Sequence, residues 1–215
     1  MFAKLIIAGA LGAVIGAATV AAAPELNLRG GRFKPLTYAE LDADQKAYVD
    51  REIAAGRTPG PGGPSNINLR SPEMADLSRG LTEYLRFKAP MPRKLKEIAV
   101  MLTARFWGGQ YVWYSHRQQA LDAGLAPAFI SAMAVGQRPA NMSADEAAVY
   151  DFCSELLSTR QVSDANFKNM VDRFGERGVV ETVGLMGHFH TLTMLFVVDR
   201  YPVPPGAPDE IKAPM

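Results

Sequence analysis

Glu97 and His116 are the side chains of this sequence best suited to acid–base chemistry. An imidazole exchanges a proton near neutral pH, and a carboxylate can fix its tautomer or relay a proton to it through water. The two residues are 19 positions apart, so on an unbroken helix they would point about 100° away from each other. The adjacent pair Gly108-Gly109 lies between them and predicts a break that could bring them together.

Four further residues are candidates for binding a substrate near this pair. Arg105 and Arg117 flank the glycines, and either could hold a carboxylate through a two-pronged contact or form a salt bridge with a neighbouring acid. Trp113 belongs to an aromatic cluster that either walls a pocket for a flat substrate or packs in the core. The other members of the cluster are Trp107, Tyr111 and Tyr114. His188 is predicted to line the same pocket as His116.

The remaining motifs argue against a cofactor or a metal. His188 and His190 are two positions apart and point to nearly opposite sides of a helix, whereas helical metal pairs use spacings of three or four. The sequence has no Gly-rich phosphate loop, no Ser nucleophile elbow and no Cys-x-x-Cys. We therefore expect no metal site and no nucleotide, flavin or haem cofactor.

The sequence contains one cysteine, Cys153, on the apolar stripe of a predicted helix. A disulfide-cycling peroxidase needs two thiols within reach of each other, so a single subunit cannot perform that chemistry. We expect Cys153 to pack as a small hydrophobic side chain.

The overall composition is that of a soluble globular domain. The chain has 215 residues, of which 48% are hydrophobic and 21% charged, which suits one domain. The formal net charge of +1 gives no reason to expect binding to nucleic acid or to an anionic membrane. A small-molecule substrate is the partner that fits best.

The first 22 residues have the pattern of a signal peptide. Lys4 supplies a short positive region, residues 5–20 form an apolar run, and Ala21-Ala22-Ala23 provides small residues for cleavage after Ala22. Cleavage predicts a periplasmic protein without a stable membrane span. The alternative is an uncleaved anchor, although the run is somewhat short for a full span.

Helical spacing dominates the rest of the chain and predicts an all-α bundle. A capping box, Thr37-x-x-Glu40, is expected to start a helix that continues to about Ala55, and Ser71-Pro72 starts the next. Met74, Leu77, Leu81 and Leu85 are spaced to form one buried face of that helix. Further helices are predicted from Pro92 to the glycine pair, at 110–123 and 127–135, from Ser143, from Ser163 to Gly175, and at 176–198. The last is apolar almost all round, which is typical of a core or a subunit interface.

Several segments resemble the carboxymuconolactone decarboxylase family of the alkyl-hydroperoxidase D-like superfamily. Residues 97–116 have the spacing of Glu-x11-Cys-x2-Cys-x3-His, with Gly109 and Val112 in the two cysteine positions. The other similar segments are Pro64–Ala75, Glu83–Phe87, Ala120–Leu125, Ala147–Phe152 and Phe174–Gly187. The resemblance covers about residues 36–204. It divides the chain into a signal peptide (1–22), an extended segment (23–36), the family domain (37–204) and an irregular tail (205–215).

The resemblance implies an alkyl-hydroperoxidase D-like helical bundle that assembles into trimers or hexamers. It also implies one of two chemistries, which are cofactor-free decarboxylation of a carboxylated muconolactone and thiol-dependent reduction of hydroperoxides. Because the thiol pair is missing, we expect a cofactor-free lyase in which His116 transfers the proton, Glu97 orients it, and Arg105 or Arg117 anchors a carboxylate. Two alternatives are a peroxidase that uses Cys153 or a thiol from another protein, and a non-catalytic oligomeric binding module.

Overall fold

The computed structural model describes residues 23–211, so the predicted signal peptide lies outside the described residues. Between these limits the chain forms helices and no strand, which confirms the all-α prediction. A 3₁₀ turn covers Tyr38–Glu40 and a π-helical turn covers Tyr84–Lys88. The α-helices are α1 (Ala43–Ala54), α2 (Ser65–Asn68), α3 (Pro72–Glu83), α4 (Arg93–Phe106), α5 (Gln110–Asp122), α6 (Pro127–Ala134), α7 (Ala144–Thr159) and α8 (Asp164–Asp199).

Helix α4 forms the centre of the bundle, where it contacts α5, α7 and α8. All its residues from Leu95 to Arg105 are buried, so it has little contact with water on any side. A smaller apolar cluster joins α1 to the start of α3 and includes Leu41, Tyr48, Val49 and Leu69. The chain thus has one large core and a satellite core at its N-terminal end.

The predicted break at Gly108-Gly109 is confirmed. Gly108 has a φ of +60°, a conformation that favours glycine. A Cβ atom on Gly109 would lie 2.3 Å from Cγ2 of Thr193 on α8, so the backbone there approaches α8 too closely for a larger residue. The two glycines end α4 and allow α5 to return along it.

The first predicted helix is divided, which corrects its expected extent. The capping box of Thr37 and Glu40 forms, but it starts only a 3₁₀ turn, and Leu41 is extended with a ψ of 140°. A second capping box, between Asp42 and Gln45, then starts α1. The extended residue allows the Leu41 side chain to be buried in the satellite core. Tertiary packing therefore overrides the local helical preference here.

The predicted buried face of α3 is wrong for three of its four residues. Met74, Leu77 and Leu81 are 44%, 73% and 45% exposed, and only Leu85, in the π turn, is buried. The stripe lies beside α8 and shares a shallow depression with Gly184 and Gly187. We call these five residues the α3–α8 face. Periodicity identified an apolar stripe but could not show that none of the elements within residues 23–211 covers it.

Helix α8 combines the last two predicted helices. Gly175 has non-helical angles (φ 67°, ψ 172°) and marks the expected boundary, beyond which the helix continues to Asp199. None of the helices within residues 23–211 combines the length and apolarity that a membrane crossing requires.

The extended N-terminal segment is fixed to the end of α8 by Asp199. This fully buried carboxylate accepts hydrogen bonds from the backbone N–H groups of Gly31 and Phe33, the latter at 2.6 Å. The Asp199 carbonyl accepts another from Arg32 N–H at 2.6 Å. Residues 30–33 are therefore part of the folded body.

Replacing Asp199 with alanine is expected to lower the free energy of unfolding by about 1.5–3 kcal/mol, because two backbone donors lose a charged acceptor. Urea denaturation followed by circular dichroism measures the change. Asp172→Ala, which breaks the exposed pair of Asp172 and Lys168, is the control and should have almost no effect. Equal urea midpoints for the Asp199 and Asp172 variants would show that the hydrogen bonds between Asp199 and residues 31–33 contribute no stability.

Candidate functional site

The glycine break brings Glu97 of α4 and His116 of α5 into direct contact. The Nδ1 atom of His116 lies 2.6 Å from Oε2 of Glu97, and the two residues are only 5% and 2% exposed. The ring of His116 also packs edge-to-face against Phe189 of α8, with centroids 5.0 Å apart. The predicted acid–imidazole contact therefore exists and is sheltered from bulk water.

Two arginines surround the second oxygen of Glu97. Its Oε1 lies 3.5 Å from Arg86 and 3.9 Å from Arg93. Gln119 Oε1 accepts hydrogen bonds from both guanidinium groups, at 2.5 Å from Arg86 and 3.4 Å from Arg93. Since His116 is one turn from Gln119 on α5, one helix presents both the imidazole and this amide to the arginines.

The electrostatic surroundings of His116 favour its neutral form. Burial lowers its pKa, the carboxylate of Glu97 opposes that shift, and the positive charges of Arg86 and Arg93 lower the pKa further. The neutral ring that donates its Nδ1–H to Glu97 has its lone pair on Nε2. His116 is therefore suited to accept a proton at Nε2, and Glu97 is placed to stabilise the imidazolium that results.

His116 and Arg86 line a cavity of about 440 Å³. Gln119 lies beside them, and we call these three residues the floor; Val112, Phe189, Leu192 and Phe196 form an apolar wall. The lining also includes Glu52, Arg57 and Arg79 together with Thr58, Pro59 and residues 63–65 of the Pro/Gly loop, and we call this group the rim. The volume and the mixture of apolar wall and few polar groups are typical of sites that bind small molecules.

The π turn that carries Arg86 is held by a buried lysine. Lys96 is 6% exposed, and its ammonium donates hydrogen bonds to the carbonyls of Ala89 at 2.6 Å and Arg86 at 3.2 Å. Single π turns occur often at functional sites because they redirect a side chain. Sequence periodicity does not predict a π turn, so Arg86 was missed, although it lies within the family-like segment Glu83–Phe87. Gln119 could have been found from its helical spacing to His116.

Arg105, Arg117 and Trp113 do not line the cavity, which corrects their predicted placement. Arg105 Nε donates to the carbonyl of Ala134 at 3.3 Å. Glu210 in the tail accepts from Trp113 Nε1 at 2.7 Å and from Arg117 Nε at 2.8 Å. Positions 113 and 117 lie about 60–100° around α5 from His116 and therefore face the tail. The irregular tail up to residue 211 packs against α5.

His188 also lies outside this cavity. Its Nε2 is 2.6 Å from Oγ1 of Thr82, and Thr82 lines the cavity while the imidazole borders the depression on the α3–α8 face. His190 accepts a hydrogen bond from Trp107 Nε1 at 2.6 Å. Within residues 23–211, no three His, Cys, Asp or Glu side chains are grouped as a metal site would require.

Cys153 is fully buried, and burial raises the pKa of its thiol. We expect the native protein to react with a thiol reagent such as dithionitrobenzoate at least 100-fold more slowly than the protein unfolded in guanidinium chloride. The release of coloured thiolate measures both rates. Reaction of one equivalent of dithionitrobenzoate within seconds under native conditions would contradict this expectation and would support a mechanism that uses the thiol.

Comparisons with known proteins identify the fold. No protein-family model matches the sequence, and neither does any curated protein. An alkylhydroperoxidase AhpD core structure, of an uncharacterised peroxidase-related protein from Ralstonia eutropha JMP134, matches with a TM-score of 0.64 at 14% identity over 86% of this chain and 97% of its own. An uncharacterised peroxidase-related protein from Silicibacter sp. TM1040 gives 0.63 at 12% identity, over 84% and 95%.

A third match is the debrominase Bmp8, solved as a cysteine-to-alanine variant in complex with 2,3,4-tribromopyrrole. Its TM-score is 0.57 at 15% identity, over 80% of this chain and 91% of its own. Identities this low show a shared architecture and leave the reaction open. The superposition on the alkylhydroperoxidase AhpD core, over 86% of this chain and 97% of that one, shows that the chain has the alkyl-hydroperoxidase D-like fold.

Proposed function

We propose that this protein is a cofactor-free acid–base enzyme, of the lyase type, that acts on a small organic acid or lactone. The observation that carries the proposal is the buried contact of Glu97 with His116 at the floor of a cavity that also presents Arg86. The sequence resemblance to carboxymuconolactone decarboxylases supports the same reaction class. A neutral imidazole oriented by a carboxylate is a proton acceptor, and a guanidinium beside it recognises a carboxylate or an enolate oxygen.

The proposed reaction begins with the substrate oxygen held by Arg86. His116 Nε2 takes a proton from the substrate, and Glu97 stabilises the imidazolium that forms. Departure of the leaving group then completes an elimination. In a decarboxylation, the electrons of the breaking C–C bond instead move into a conjugated carbonyl as carbon dioxide leaves. A proton then passes from water through His116 Nε2 to the carbon, and the hydroxide that remains combines with the carbon dioxide to give bicarbonate.

Arg86 takes the anchoring role that the sequence had suggested for Arg105 or Arg117. It is the guanidinium that lines the cavity beside His116, whereas Arg105 and Arg117 bond to groups elsewhere. The debrominase of the same fold binds a flat five-membered ring, and a lactone ring has a similar shape. Two structural neighbours are peroxidase-related proteins, but within residues 23–211 a peroxidase mechanism would have only the fully buried thiol of Cys153.

Export and assembly complete the proposal. Cleavage after Ala22 would release the protein to the periplasm. The α3–α8 face is apolar and exposed, as expected of a surface that another copy of the chain covers in a trimer or hexamer. Light scattering on the mature protein determines the number of subunits.

A substrate panel in D₂O tests the proposed reaction. The panel contains a carboxylated muconolactone, 3-oxo acids and arylalkanoic acids, and proton NMR follows loss of carbon dioxide and uptake of deuterium at carbon. We expect the mature protein to accelerate one of these processes for at least one member. A folded protein that accelerates none of them would favour the non-catalytic binding module.

The pH dependence should follow His116. In the elimination His116 is a general base and acts only when neutral, so kcat/KM falls as the pH drops through its pKa, and burial places that pKa below the usual 6.5. We therefore expect the acid limb of the kcat/KM profile below pH 6.5. Glu97 raises the pKa of His116, so Glu97→Gln should move the limb to still lower pH while the plateau decreases. A limb above pH 6.5 would assign the base to another group.

A further inference from the structure

We propose that the substrate of this cavity is an amphipathic monocarboxylate, with one carboxylate at Arg86 and an apolar body about 10 Å long that follows α8 to the rim. This inference rests on the proposed function in one respect, which is that the end of the substrate that reacts lies at His116. It adds the chemical class of the molecule and excludes a second carboxylate.

The first observation is an unbalanced positive charge at the floor. Arg86 and Arg93 share a single carboxylate, Glu97, and the pKa of His116 is lowered, so the group carries a net charge of about +1. The side chain of Arg93 is 51% exposed and can be solvated, whereas that of Arg86 is 17% exposed. A cation that has lost most of its water favours an anion as its partner. A bound carboxylate would neutralise Arg86 next to the imidazole.

The second observation is the apolar wall. Phe189, Leu192 and Phe196 occupy positions i, i+3 and i+7 of α8, and all three line the cavity. Phe189 packs against the His116 ring at the floor. Phe196 lies seven residues further along, a distance of about 10 Å at 1.5 Å per residue. A molecule that covers this stripe needs an extended apolar body, such as a phenylalkyl or medium-chain group.

The third observation concerns the rim, where the carboxylate of Glu52 is already held in two ion pairs. Glu52 is 7% exposed and accepts hydrogen bonds from Arg57 and Arg79, each at 2.7 Å. Arg79 is also paired with Asp76. A second carboxylate on the substrate would have to displace Glu52 or approach its negative charge. The rim therefore disfavours the binding of dicarboxylates, and the negative charge of Glu52 is responsible for this discrimination.

Binding of non-reactive probes by calorimetry tests the inference on the mature protein. The probes are 4-phenylbutanoate, acetate, 4-phenylbutanamide and decanedioate, which separate the charge, the apolar body and the second carboxylate. We expect 4-phenylbutanoate to bind at least tenfold more tightly than each of the other three. Equal affinity for acetate would remove the apolar body from the proposal, and equal affinity for the amide would remove the anion site.

Variants assign these effects to residues. Arg86→Met should weaken the binding of 4-phenylbutanoate at least tenfold and leave the affinity for 4-phenylbutanamide unchanged. Arg93→Met removes the exposed guanidinium and is the matched control, for which we expect a smaller loss of affinity. Glu52→Gln should lower the ratio of the affinity for 4-phenylbutanoate to the affinity for decanedioate at least threefold. If Arg86→Met does not fold, Leu192→Asp provides a second test, since a charge on the wall should abolish binding of 4-phenylbutanoate. Unchanged binding by folded Arg86→Met or Leu192→Asp overturns the proposal.

The two proposals can fail separately. Binding of 4-phenylbutanoate without turnover of any acid in the panel would support this inference and contradict the proposed function. Turnover of a small dicarboxylate, with no binding of 4-phenylbutanoate, would do the opposite. His116→Gln should retain the affinity for 4-phenylbutanoate within about threefold, since the imidazole is assigned to proton transfer and not to anchoring.

Discussion

Replacing His116 with glutamine is expected to lower the rate of proton transfer to or from the substrate by about 100- to 10,000-fold. Glutamine has a similar size and can still bond to Glu97, but it has no group that exchanges a proton near neutral pH. The buried contact with Glu97 at 2.6 Å and the packing against Phe189 at 5.0 Å fix the orientation of the imidazole, and no other histidine among residues 23–211 lines the cavity. Initial rates on the substrate found with the panel measure the effect.

His190→Gln is the matched control for this variant. The residue is on α8, bonds to Trp107 and does not line the cavity, so its replacement should leave the rate within about twofold. Circular dichroism should show both variants to be folded. Similar rates for wild type and His116→Gln would remove the imidazole from the mechanism, whatever the cavity binds.

Replacing Glu97 with alanine is expected to lower the free energy of unfolding by about 3–5 kcal/mol. Glu97 is 2% exposed and is the carboxylate shared by His116, Arg86 and Arg93. Its removal leaves Arg86 as a largely buried cation without a negatively charged partner and creates a cavity beside α4. Urea denaturation at pH 7 measures the change.

Glu97→Gln separates charge from volume in this position. It keeps the side-chain size, so a smaller loss of stability than for alanine is expected, together with the shift of the pH profile described above. Asp172→Ala, at an exposed ion pair, again provides the reference for a carboxylate that contributes little. A loss of less than 1 kcal/mol for Glu97→Ala would indicate that Arg86 is well solvated and that the floor carries no unbalanced charge.

The fold could be predicted because its determinants are local. The capping box of Ser143 and Glu146, the proline at the start of α3 and the glycine break before α5 are all recognisable from residue type and spacing. The division of the first helix at Leu41 was not predictable, because it depends on a satellite core formed with the distant residue Leu69.

The exposed face of α3 shows a second limit. Met74, Leu77 and Leu81 have the period of a buried stripe, and the period is correct, yet they are exposed. A hydrophobic pattern reports that a face avoids water and does not report what covers it. The proposed contact with another subunit would account for the pattern.

The arginines illustrate why the site was only partly predictable. Arg105 and Arg117 are close to His116 in sequence, but the phase of their helices directs them to Ala134 and Glu210. Arg86 is 30 positions away from His116 and reaches the cavity through a π turn held by Lys96. Sequence distance is a poor guide to such contacts, because they depend on how elements pack.

The sequence by itself determined the helical class, the break at the paired glycines and the absence of a Cys-x-x-Cys pair, since these follow from residue types and short-range spacing. It also placed an acid and an imidazole on the two sides of the break. Only the tertiary structure decided that Glu97 and His116 meet, that Arg86 is the cation beside them, and that α8 provides an apolar wall. Side chains on four separate segments converge there, and their convergence depends on packing between elements that no local pattern encodes.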